Sequence, residues 1–346
     1  MPAVIQIFPF ELPLQSPFTT AKGTTRTRRG LLVRVQAGQA IGWGEASPLP
    51  GLSTETLEEV NGELMGIHGH ALQLPEALTE VNPLVHKLCQ TPSGRHGLGS
   101  AVLSCMAQIN KTPVSGLLNS VNHREVPVSH LYTDDDALFH ATMLGTQTVK
   151  VKVGIAPLST EVQKIAHIRE LIGPDVHLRL DANGAWTEAE ATAAIASMRE
   201  HGVRSIEDPV KASDLDAMAR LRGRGVDIVA DEVMVSPMLL GEVIRRQAAD
   251  VIVIKPMRVG TPLTALGMIA AADKAGLECF ITTTIDSAVG RMMALHIAAA
   301  APVAELRACG LNTGGWLQED VGLTPDWSGS HIDSPSAPGL GVQVKL

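Results

Sequence analysis

Five residues of two chemical types recur at a regular interval through the second half of the chain. They are Lys152, Asp181, Glu207, Asp231 and Lys255, each at or directly after the end of a short apolar run, and successive members are 29, 26, 24 and 24 residues apart. Taken singly, each acid would more readily be interpreted as a turn former or a helix cap. Their recurrence with the period of a strand-plus-helix unit instead predicts that all five meet at one site.

The three acids of this set predict a metal site. Asp181, Glu207 and Asp231 would follow neighbouring parallel strands, so their side chains would crowd together and repel one another unless a cation lay between them. A set of carboxylate oxygens with no His or Cys nearby favours binding of Mg²⁺ over Zn²⁺. We therefore expect a Mg²⁺ site, with Mn²⁺ able to replace Mg²⁺, that leaves coordination positions for water and substrate.

The lysines predict proton transfer beside this metal. Lys150 and Lys152 lie two residues apart in the run Thr148–Val153 and should point to the same side of a strand. Burial and mutual repulsion would disfavour their charged forms, so one of them could act as a base near neutral pH. The alternative is an edge strand with two solvated lysines. Lys255, four strands further on, would face the metal from the opposite side.

This combination of groups is suited to removing a proton next to a carboxylate. A divalent cation draws charge from the carboxylate of a small-molecule substrate and lowers the barrier to loss of its α-proton. A lysine accepts that proton, and the metal and ammonium groups stabilise the resulting enediolate. Return of the proton on the other face would give racemisation, whereas loss of a β leaving group would give elimination.

The elements that must position these residues follow a repeat from about residue 126 onward. The strand-like runs are Val126–Ser129, Thr148–Val153, Val176–Leu180, Val203–Ile206, Ile228–Ala230, Val251–Ile254, Cys279–Thr282 and Ala304–Ala308. Helical patterns follow the first seven runs. Alternating strands and helices predict an α/β fold with parallel strands, and eight such strands predict a (β/α)7β-type TIM barrel. An open doubly wound sheet is the alternative, but its Gly-rich phosphate loop is missing.

The N-terminal region has a different pattern. Leu31–Val35 and Ala40–Gly44 predict a hairpin, and Thr54–Gly66 predicts a helix with Ser53 as its N-cap. The C-terminal tail is rich in Gly, Pro and Ser and ends in the strand-like segment Gly341–Leu346.

These patterns divide the chain into two domains. We expect residues 1–98 and 311–346 to form an α+β capping domain. Residues 99–310 would form the catalytic barrel.

Composition narrows the function classes. The chain has 346 residues, 45% hydrophobic content and a formal net charge of −8. That charge gives no electrostatic reason to expect nucleic acid or an anionic membrane as partner. No secretory signal or apolar run long enough to span a bilayer is evident, so we expect a cytoplasmic protein. The four cysteines are expected to be buried free thiols, and the choice between monomer and homo-oligomer stays open.

Several segments resemble motifs of a known family. They are Gly42–Gly51 (GWGEASPLPG), Val149–Gly154 (VKVKVG), His177–Asn183 (HLRLDAN), Thr284–Ser287 (TIDS) and Gly310–Thr313 (GLNT). Together they resemble the enolase superfamily in its muconate-lactonising subgroup, where lysines flank the metal. The resemblance extends to the o-succinylbenzoate synthases of menaquinone biosynthesis and covers nearly the whole chain.

The resemblance implies a hydro-lyase reaction. The substrate would be 2-succinyl-6-hydroxy-2,4-cyclohexadiene-1-carboxylate, which loses water in a syn dehydration to give 2-succinylbenzoate. Lys152 would remove the α-proton and return it to the departing hydroxyl on the same face. Lys255 would supply positive charge from the opposite side, and Lys150 would lower the pKa of Lys152 and approach the carboxylate.

The resemblance also implies supporting residues around the metal and the substrate. Arg179, Asn183 and Glu232 would surround the metal ligands, although Arg179 could equally be paired to a barrel acid for structure alone. Asp286, Ser287 and Gly310 would contact the succinyl tail, mainly through backbone N–H groups, unless Asp286 is only a helix cap.

Two loops would close over the substrate. The segments Ser16–Arg29 and Ser47–Ser53 of the cap would lie over the end of the barrel. The remaining alternatives to the synthase are an N-acylamino acid racemase or dipeptide epimerase, which resembles it in using the same lysines and metal, and a non-catalytic metal-binding barrel.

Overall fold

The computed structural model describes residues 1–20, 23–324, 327 and 329–345. Its N-terminal part is an antiparallel sheet in the order β3-β2-β1-β4. The strands are β1 (Pro2–Thr20), β2 (Gly23–Ala37), β3 (Ala40–Ala46) and β4 (Ala71–Gln73). The expected hairpin is confirmed as β2 and β3, which are joined by a tight turn at Gly38 and Gln39. Gly38 has φ +59°, a conformation that glycine adopts without strain.

Four helices follow or cover this sheet. They are α1 (Leu57–Met65), α2 (Val81–Leu88), α3 (Pro92–Ile109) and α4 (Val114–Leu118). The predicted cap of α1 was wrong: Thr56, not Ser53, is the N-cap, and it forms a capping box with Glu59. The hydroxyl of Ser53 instead accepts a hydrogen bond from the N–H of Leu49 at 2.9 Å. The Thr-x-x-Glu spacing at residues 56–59 is the sequence signal for such a box.

Helix α3 lies against β3 at very close range. A Cβ atom added to Gly44 would lie 2.0 Å from the carbonyl oxygen of Gly97, and one added to Gly42 would lie 2.0 Å from that of Ala101. The two glycines of the Gly-Trp-Gly-Glu segment therefore allow backbone to pack directly on backbone.

We expect Gly44→Ala to destabilise the protein by about 1–3 kcal/mol, because the added methyl group overpacks a rigid backbone contact. The matched control is Gly62→Ala, on an exposed face of α1 with no atom within 4 Å of the added Cβ. That change should stabilise α1 by about 0.5–1 kcal/mol, since alanine loses less entropy than glycine in a helix. Urea unfolding midpoints measure both effects, and a shift of the same sign in the two variants would contradict the packing.

The second part of the chain contains a seven-stranded sheet with neighbours in the order β12-β11-β10-β9-β8-β7-β6, all parallel. The strands are β6 (His130–Leu131), β7 (Thr148–Lys152), β8 (His177–Asp181), β9 (Val203–Glu207), β10 (Asp227–Ala230), β11 (Val251–Ile254) and β12 (Glu278–Ile281). The helices are α5 (Asp135–Met143), α6 (Leu158–Ile172), α7 (Glu188–Met198), α8 (Leu215–Leu221), α9 (Pro237–Arg246), α10 (Pro256–Val259), α11 (Pro262–Lys274) and α12 (Ala288–Ala299). The alternation of strand and helix confirms the predicted α/β class.

The two ends of the predicted strand series were wrong. No strand forms at Ala304–Ala308; instead Cys309 and Gly310 make single parallel bridges to Val128 and Thr282. The first run, Val126–Ser129, is divided, because β5 (Glu125–Pro127) pairs antiparallel with β13 (His331–Asp333) of the tail. A strand ladder is also missing from 341–345, where Val344 makes only one bridge.

Two hydrophobic cores underlie these sheets. The larger one fills the space within and around the seven parallel strands, and the smaller one lies between the N-terminal sheet and its helices. Buried residues from Leu98 to Met106 of α3 belong to the smaller core. The domain boundary proposed from sequence at residue 98 therefore falls inside a helix, and we propose that most of α3 belongs with the cap.

Two features of the chain bear on its environment. The four cysteines are free and buried, as expected. Among the described residues, no helix combines the length and apolar character needed to cross a membrane.

Candidate active site

The register of the parallel sheet brings the candidate residues to one edge. Lys152 pairs with Asp181, and Asp181 pairs with Glu207, so these three side chains share a face at the carboxyl ends of β7, β8 and β9. Asp231 and Lys255 directly follow β10 and β11. The edge thus carries a row of lysine, three acids and lysine, in the order of the strands.

Lys150 lies among the acids of this row. Its Nζ is 2.9 Å from Oδ2 of Asp181 and 2.5 Å from Oε2 of Glu207. Burial disfavours the charged amine, but the negative charges of Glu207, Asp181 and Asp231 outweigh burial and raise the pKa of Lys150. The sequence argument needed only one of the two lysines to act as a base, and these negative charges favour the ammonium form of Lys150.

Lys255 forms an ion pair with the third acid of the row, Asp231. Its Nζ lies 2.5 and 2.6 Å from the two carboxylate oxygens of Asp231. Burial alone would raise the pKa of Asp231, but the charges of Lys255 and Lys150 dominate and lower it. This pair is almost fully enclosed, with side-chain exposures of 11% for Lys255 and 5% for Asp231.

Lys152 differs from both neighbours. Its side chain is exposed at the end of β7, and no ion pair joins it to any residue in the described ranges. Its carbonyl oxygen accepts a hydrogen bond from Nζ of Lys164 at 3.5 Å. Of the three lysines, Lys152 alone therefore has an amine free to approach a ligand.

The acids offer suitable donors for a hard cation, although in this conformation the lysines occupy them. Glu207 is fully buried, and its Oε1 has no hydrogen-bond partner within the part of the chain that is described. An unsatisfied buried carboxylate oxygen is costly unless a cation or water meets it. As the side chains stand, no three His, Cys, Asp or Glu residues in the described ranges are gathered around one point. The donor set fits Mg²⁺, provided that the ammonium groups of Lys150 and Lys255 move off the carboxylates.

Two predicted supporting residues donate backbone N–H groups to acids at the strand ends. The N–H of Asn183 donates to Oδ1 of Asp181 at 3.1 Å. The N–H of Glu232 donates to Oδ2 of Asp208 at 2.8 Å, and the N–H of Asp231 donates to Oδ1 at 3.1 Å. Asp208 was not among the predicted site residues, although an acid directly after a strand-end acid was a signal for it.

Arg179 is buried beneath the row. Its guanidinium stacks 3.7 Å above the ring centroid of Phe280 and donates to the carbonyl oxygen of Ala308 at 3.1 Å. Its Nε is 3.9 Å from Oε1 of Glu207. Burial lowers the pKa of Arg179. These contacts are compatible with both interpretations of Arg179, since it supports a candidate ligand and also fills the sheet interior.

Arg258 is a further cation that the sequence argument overlooked. It follows Lys255 by three residues and is 7% exposed. Its Nη2 donates to the carbonyl oxygen of Glu232 at 3.1 Å, whereas Nε and Nη1 meet no acceptor among the described residues. A K-x-x-R spacing after a strand was the only available signal.

The residues predicted to contact the substrate tail are already engaged. Ser287 is fully buried and donates to Glu45 through its N–H at 3.0 Å and its hydroxyl at 2.5 Å. Asp286, 2% exposed, accepts from the N–H and hydroxyl of Thr284. The N–H of Gly310 donates to Ile281. Direct contact of these groups with a substrate therefore stays a prediction that would need them to change partners.

Arg28 joins the cap to this region. Its Nε donates to the carbonyl oxygen of Ile285 at 2.9 Å, and its Nη1 donates to that of Pro48 at 3.0 Å. Its Nη2 donates to the hydroxyl of Ser47 at 2.9 Å and lies 3.9 Å from Oδ1 of Asp286. One buried guanidinium thus links a cap strand, the loop after β3 and the loop before α12.

The two predicted closing loops lie beside the same edge. Most of Ser16–Arg29 belongs to β1 and β2, and residues 21 and 22 of it fall outside the described ranges. Phe18 makes an edge contact with Trp316 at 5.7 Å. In the second loop, the N–H of Ser47 donates to the sulfur of Met257 at 3.4 Å, two residues beyond Lys255.

The chain matches two family descriptions. Residues 136–346 match the family described as Enolase C-terminal domain-like, and residues 3–105 match MenC, N-terminal domain. The first match covers most of the seven-stranded sheet, and the second covers the N-terminal sheet and most of its helices.

Similar proteins agree with this assignment. The L-Ala-D/L-Glu epimerase of Bacillus subtilis is 30% identical over 96% of this chain and 93% of its own. The o-succinylbenzoate synthase of Salmonella arizonae is 31% identical over 85% of this chain and 86% of its own. The dipeptide epimerase of Enterococcus faecalis, solved with Mg and L-Leu-L-Tyr, superimposes with a TM-score of 0.88 at 25% identity and covers 99% of both chains. The chain belongs to the enolase superfamily.

Proposed function

We propose that this protein is an o-succinylbenzoate synthase, a hydro-lyase that dehydrates 2-succinyl-6-hydroxy-2,4-cyclohexadiene-1-carboxylate to 2-succinylbenzoate. The observation that carries the proposal is the match of the cap, residues 3–105, to the MenC N-terminal domain. In this arrangement the cap contributes the segments beside the strand ends, so it is the part of the chain that can select a substrate. The 31% identity to a synthase of this name supports the same choice.

The proposal includes a finer description of the fold. We take the seven parallel strands and the segment 307–310 as a (β/α)7β barrel. The support is a set of backbone hydrogen bonds from that segment to β12 and to the residues just before β6, including Gly310 N–H to Ile281 at 2.9 Å and Cys309 N–H to Pro127 at 2.7 Å. Residues from both chain ends cap it.

Asp181, Glu207 and Asp231 would hold Mg²⁺ or Mn²⁺. When bound, the metal would supply positive charge to the substrate carboxylate and so make the adjacent C–H bond more acidic. This role requires Lys150 and Lys255 to exchange their present carboxylate partners for the substrate's charge.

The lysines would divide the proton chemistry between them. Lys152, whose amine is free, takes the α-proton in its neutral form. It then gives that proton to the departing hydroxyl on the same face, the C–O bond breaks, water leaves and the ring becomes aromatic. Lys255 stabilises the negative charge that develops on the substrate from the other side, and Lys150 does so near the carboxylate.

A dipeptide epimerase or N-acylamino acid racemase is the second candidate. It is favoured by the similarity to an epimerase over 96% of this chain. A dipeptide carries a free ammonium group that needs an acidic partner, however, and Asp286, the acid after β12, is buried and already accepts from Thr284. An N-succinyl amino acid has no such ammonium group and is the more suitable alternative substrate.

The test is to incubate the purified protein and Mg²⁺ with the cyclohexadiene carboxylate, with N-succinyl amino acids and with dipeptides in separate reactions. We expect dehydration of the first, loss of activity with EDTA and recovery when Mg²⁺ is added back. Absence of dehydration under all metal conditions would reject the synthase. Racemisation without dehydration would establish the second candidate in its place.

The variant Lys255→Arg separates the two reactions. Arginine keeps the positive charge but cannot give up its proton at ordinary pH. Dehydration, which needs only the charge, should fall less than tenfold, whereas α-proton exchange of one enantiomer of an N-succinyl amino acid should fall by about 10²–10⁴-fold, as expected for a lost general base. Initial rates and proton NMR in D₂O measure the two. A loss of dehydration as large as the loss of exchange would show that Lys255 transfers a proton in dehydration too.

A further inference from the structure

Asp208 contacts the ends of three neighbouring strands. It directly follows β9, is 1% exposed and has φ +39°. Its carbonyl oxygen accepts from the N–H of Gly184, beyond β8, at 2.7 Å, and its own N–H donates to Val229 of β10 at 2.9 Å. Its carboxylate accepts the N–H groups of Asp231 and Glu232 at 3.1 and 2.8 Å.

Each of these three strands ends in one of the candidate metal ligands. Asp181 ends β8, Glu207 ends β9 and Asp231 follows β10. Asp208 is covalently next to Glu207, and its side chain binds the backbone of Asp231 itself. Asp208 therefore adds contacts that help to fix the separation of the ligand-bearing strand ends.

We infer that Asp208 is a positioning residue that fixes the relative places of the three carboxylates. The inference rests on the proposed function, in which those carboxylates hold one divalent cation. Asp208 acts through the backbone of its neighbours, because both of its oxygens are directed to N–H groups of Asp231 and Glu232. A metal site requires its ligands within a few tenths of an ångström of their bonding positions. A loosened β10 end would therefore weaken metal binding without unfolding the barrel.

The simpler interpretation is that Asp208 is only a turn former, since Asp and Asn tolerate the left-handed region better than other residues with a side chain. The variant Asp208→Asn distinguishes the two roles. Asparagine keeps the size and the tolerance of positive φ. It provides one acceptor oxygen where the structure needs two, and its NH₂ group must face a buried N–H donor.

The experiment measures Mn²⁺ affinity by electron paramagnetic resonance of free Mn²⁺, in the absence of substrate. Three proteins are compared: wild type, Asp208→Asn and the control Asp214→Asn. Asp214 also accepts a backbone N–H, that of Ala217 at 3.0 Å, but it caps α8 at an exposed position and has no hydrogen bond to a candidate metal ligand among the described residues. We expect the affinity of Asp208→Asn to fall by about 10–100-fold, the usual effect of losing a residue that orients metal ligands. The affinity of Asp214→Asn should equal that of wild type.

The outcomes separate this inference from the proposed function. Equal affinity of Asp208→Asn and wild type would overturn the positioning role alone. A wild type that binds no Mn²⁺ would overturn the proposed metal site and this role with it. Circular dichroism establishes that the variant is folded at the temperature of the titration. If it is not folded, amide exchange in the wild type decides: slow exchange at Asp231 and Glu232 supports the carboxylate contacts, and unprotected exchange there overturns them.

Discussion

Lys152→Met should remove nearly all catalysis and leave the fold intact. Loss of a general base typically costs about 10²–10⁴-fold in rate, and we expect that fall in kcat for dehydration with little change in KM. Stability should not change, because the side chain is exposed and has no ion pair with any described residue. Steady-state kinetics and urea unfolding measure the two effects on the same preparation.

The matched control for this variant is Lys274→Met. Lys274 is an equally exposed lysine in the last turn of α11, outside the row of strand-end residues. It should retain wild-type kcat and KM. A Lys152→Met enzyme within tenfold of wild type would contradict the assignment of the base, and a comparable loss in Lys274→Met would point to a general charge effect instead.

Arg28→Met should produce the largest loss of stability that we predict. Arg28 is 1% exposed, and the fully buried Glu45 and the nearly buried Asp286 lie around it. Burial raises the pKa of both acids, and the positive charge of Arg28 opposes that shift. Removing one partner of a buried ionic group leaves uncompensated charge and usually costs about 3–5 kcal/mol. We expect a loss of this size in urea unfolding.

The adjacent arginine is the control. Arg29 is 3.5 Å from Glu11, and both side chains are more than half exposed, at 61% and 58%. An exposed pair of this kind contributes about 0–1 kcal/mol, so Arg29→Met should be nearly neutral. Similar losses in the two variants would mean that the buried contacts of Arg28 do not hold the cap to the loop before α12.

The row of strand-end residues could be predicted because the position of each residue at the end of a strand is evident from the segment directly around it. Each strand from β7 to β11 is rich in apolar or β-branched residues, and each candidate residue ends its strand or directly follows it. The register of the parallel pairs, such as Lys152 with Asp181, then places them on one face. Strand period and strand order were sufficient for this part of the site.

The contacts within the row could not be predicted in the same way. A spacing of two residues puts Lys150 and Lys152 on one face, but it does not say which amine reaches the acids. In the structure the amine of Lys150 contacts Asp181 and Glu207, whereas the side chain of Lys152 is exposed. The acids therefore raise the pKa of Lys150, whereas the sequence argument expected repulsion between the two lysines to lower it.

Pairings between distant segments were the other limit. Glu45 and Ser287 are 242 residues apart in sequence, yet their side chains are hydrogen-bonded. Val126 and Pro127, the first residues of the run Val126–Ser129, pair with the tail strand β13, which begins at His331. Neither pairing can be predicted from the local hydrophobic pattern, because each depends on which distant segments the fold brings together.

The most direct test of the account is a crystal structure of the protein grown with MgCl₂. We predict one ion bound by oxygens of Asp181, Glu207 and Asp231 at about 2.0–2.1 Å, the distance that Mg²⁺ requires. The amines of Lys150 and Lys255 would then have left the carboxylates that they contact here. An ion bound elsewhere, or both lysine contacts unchanged at saturating Mg²⁺, would contradict the proposed site.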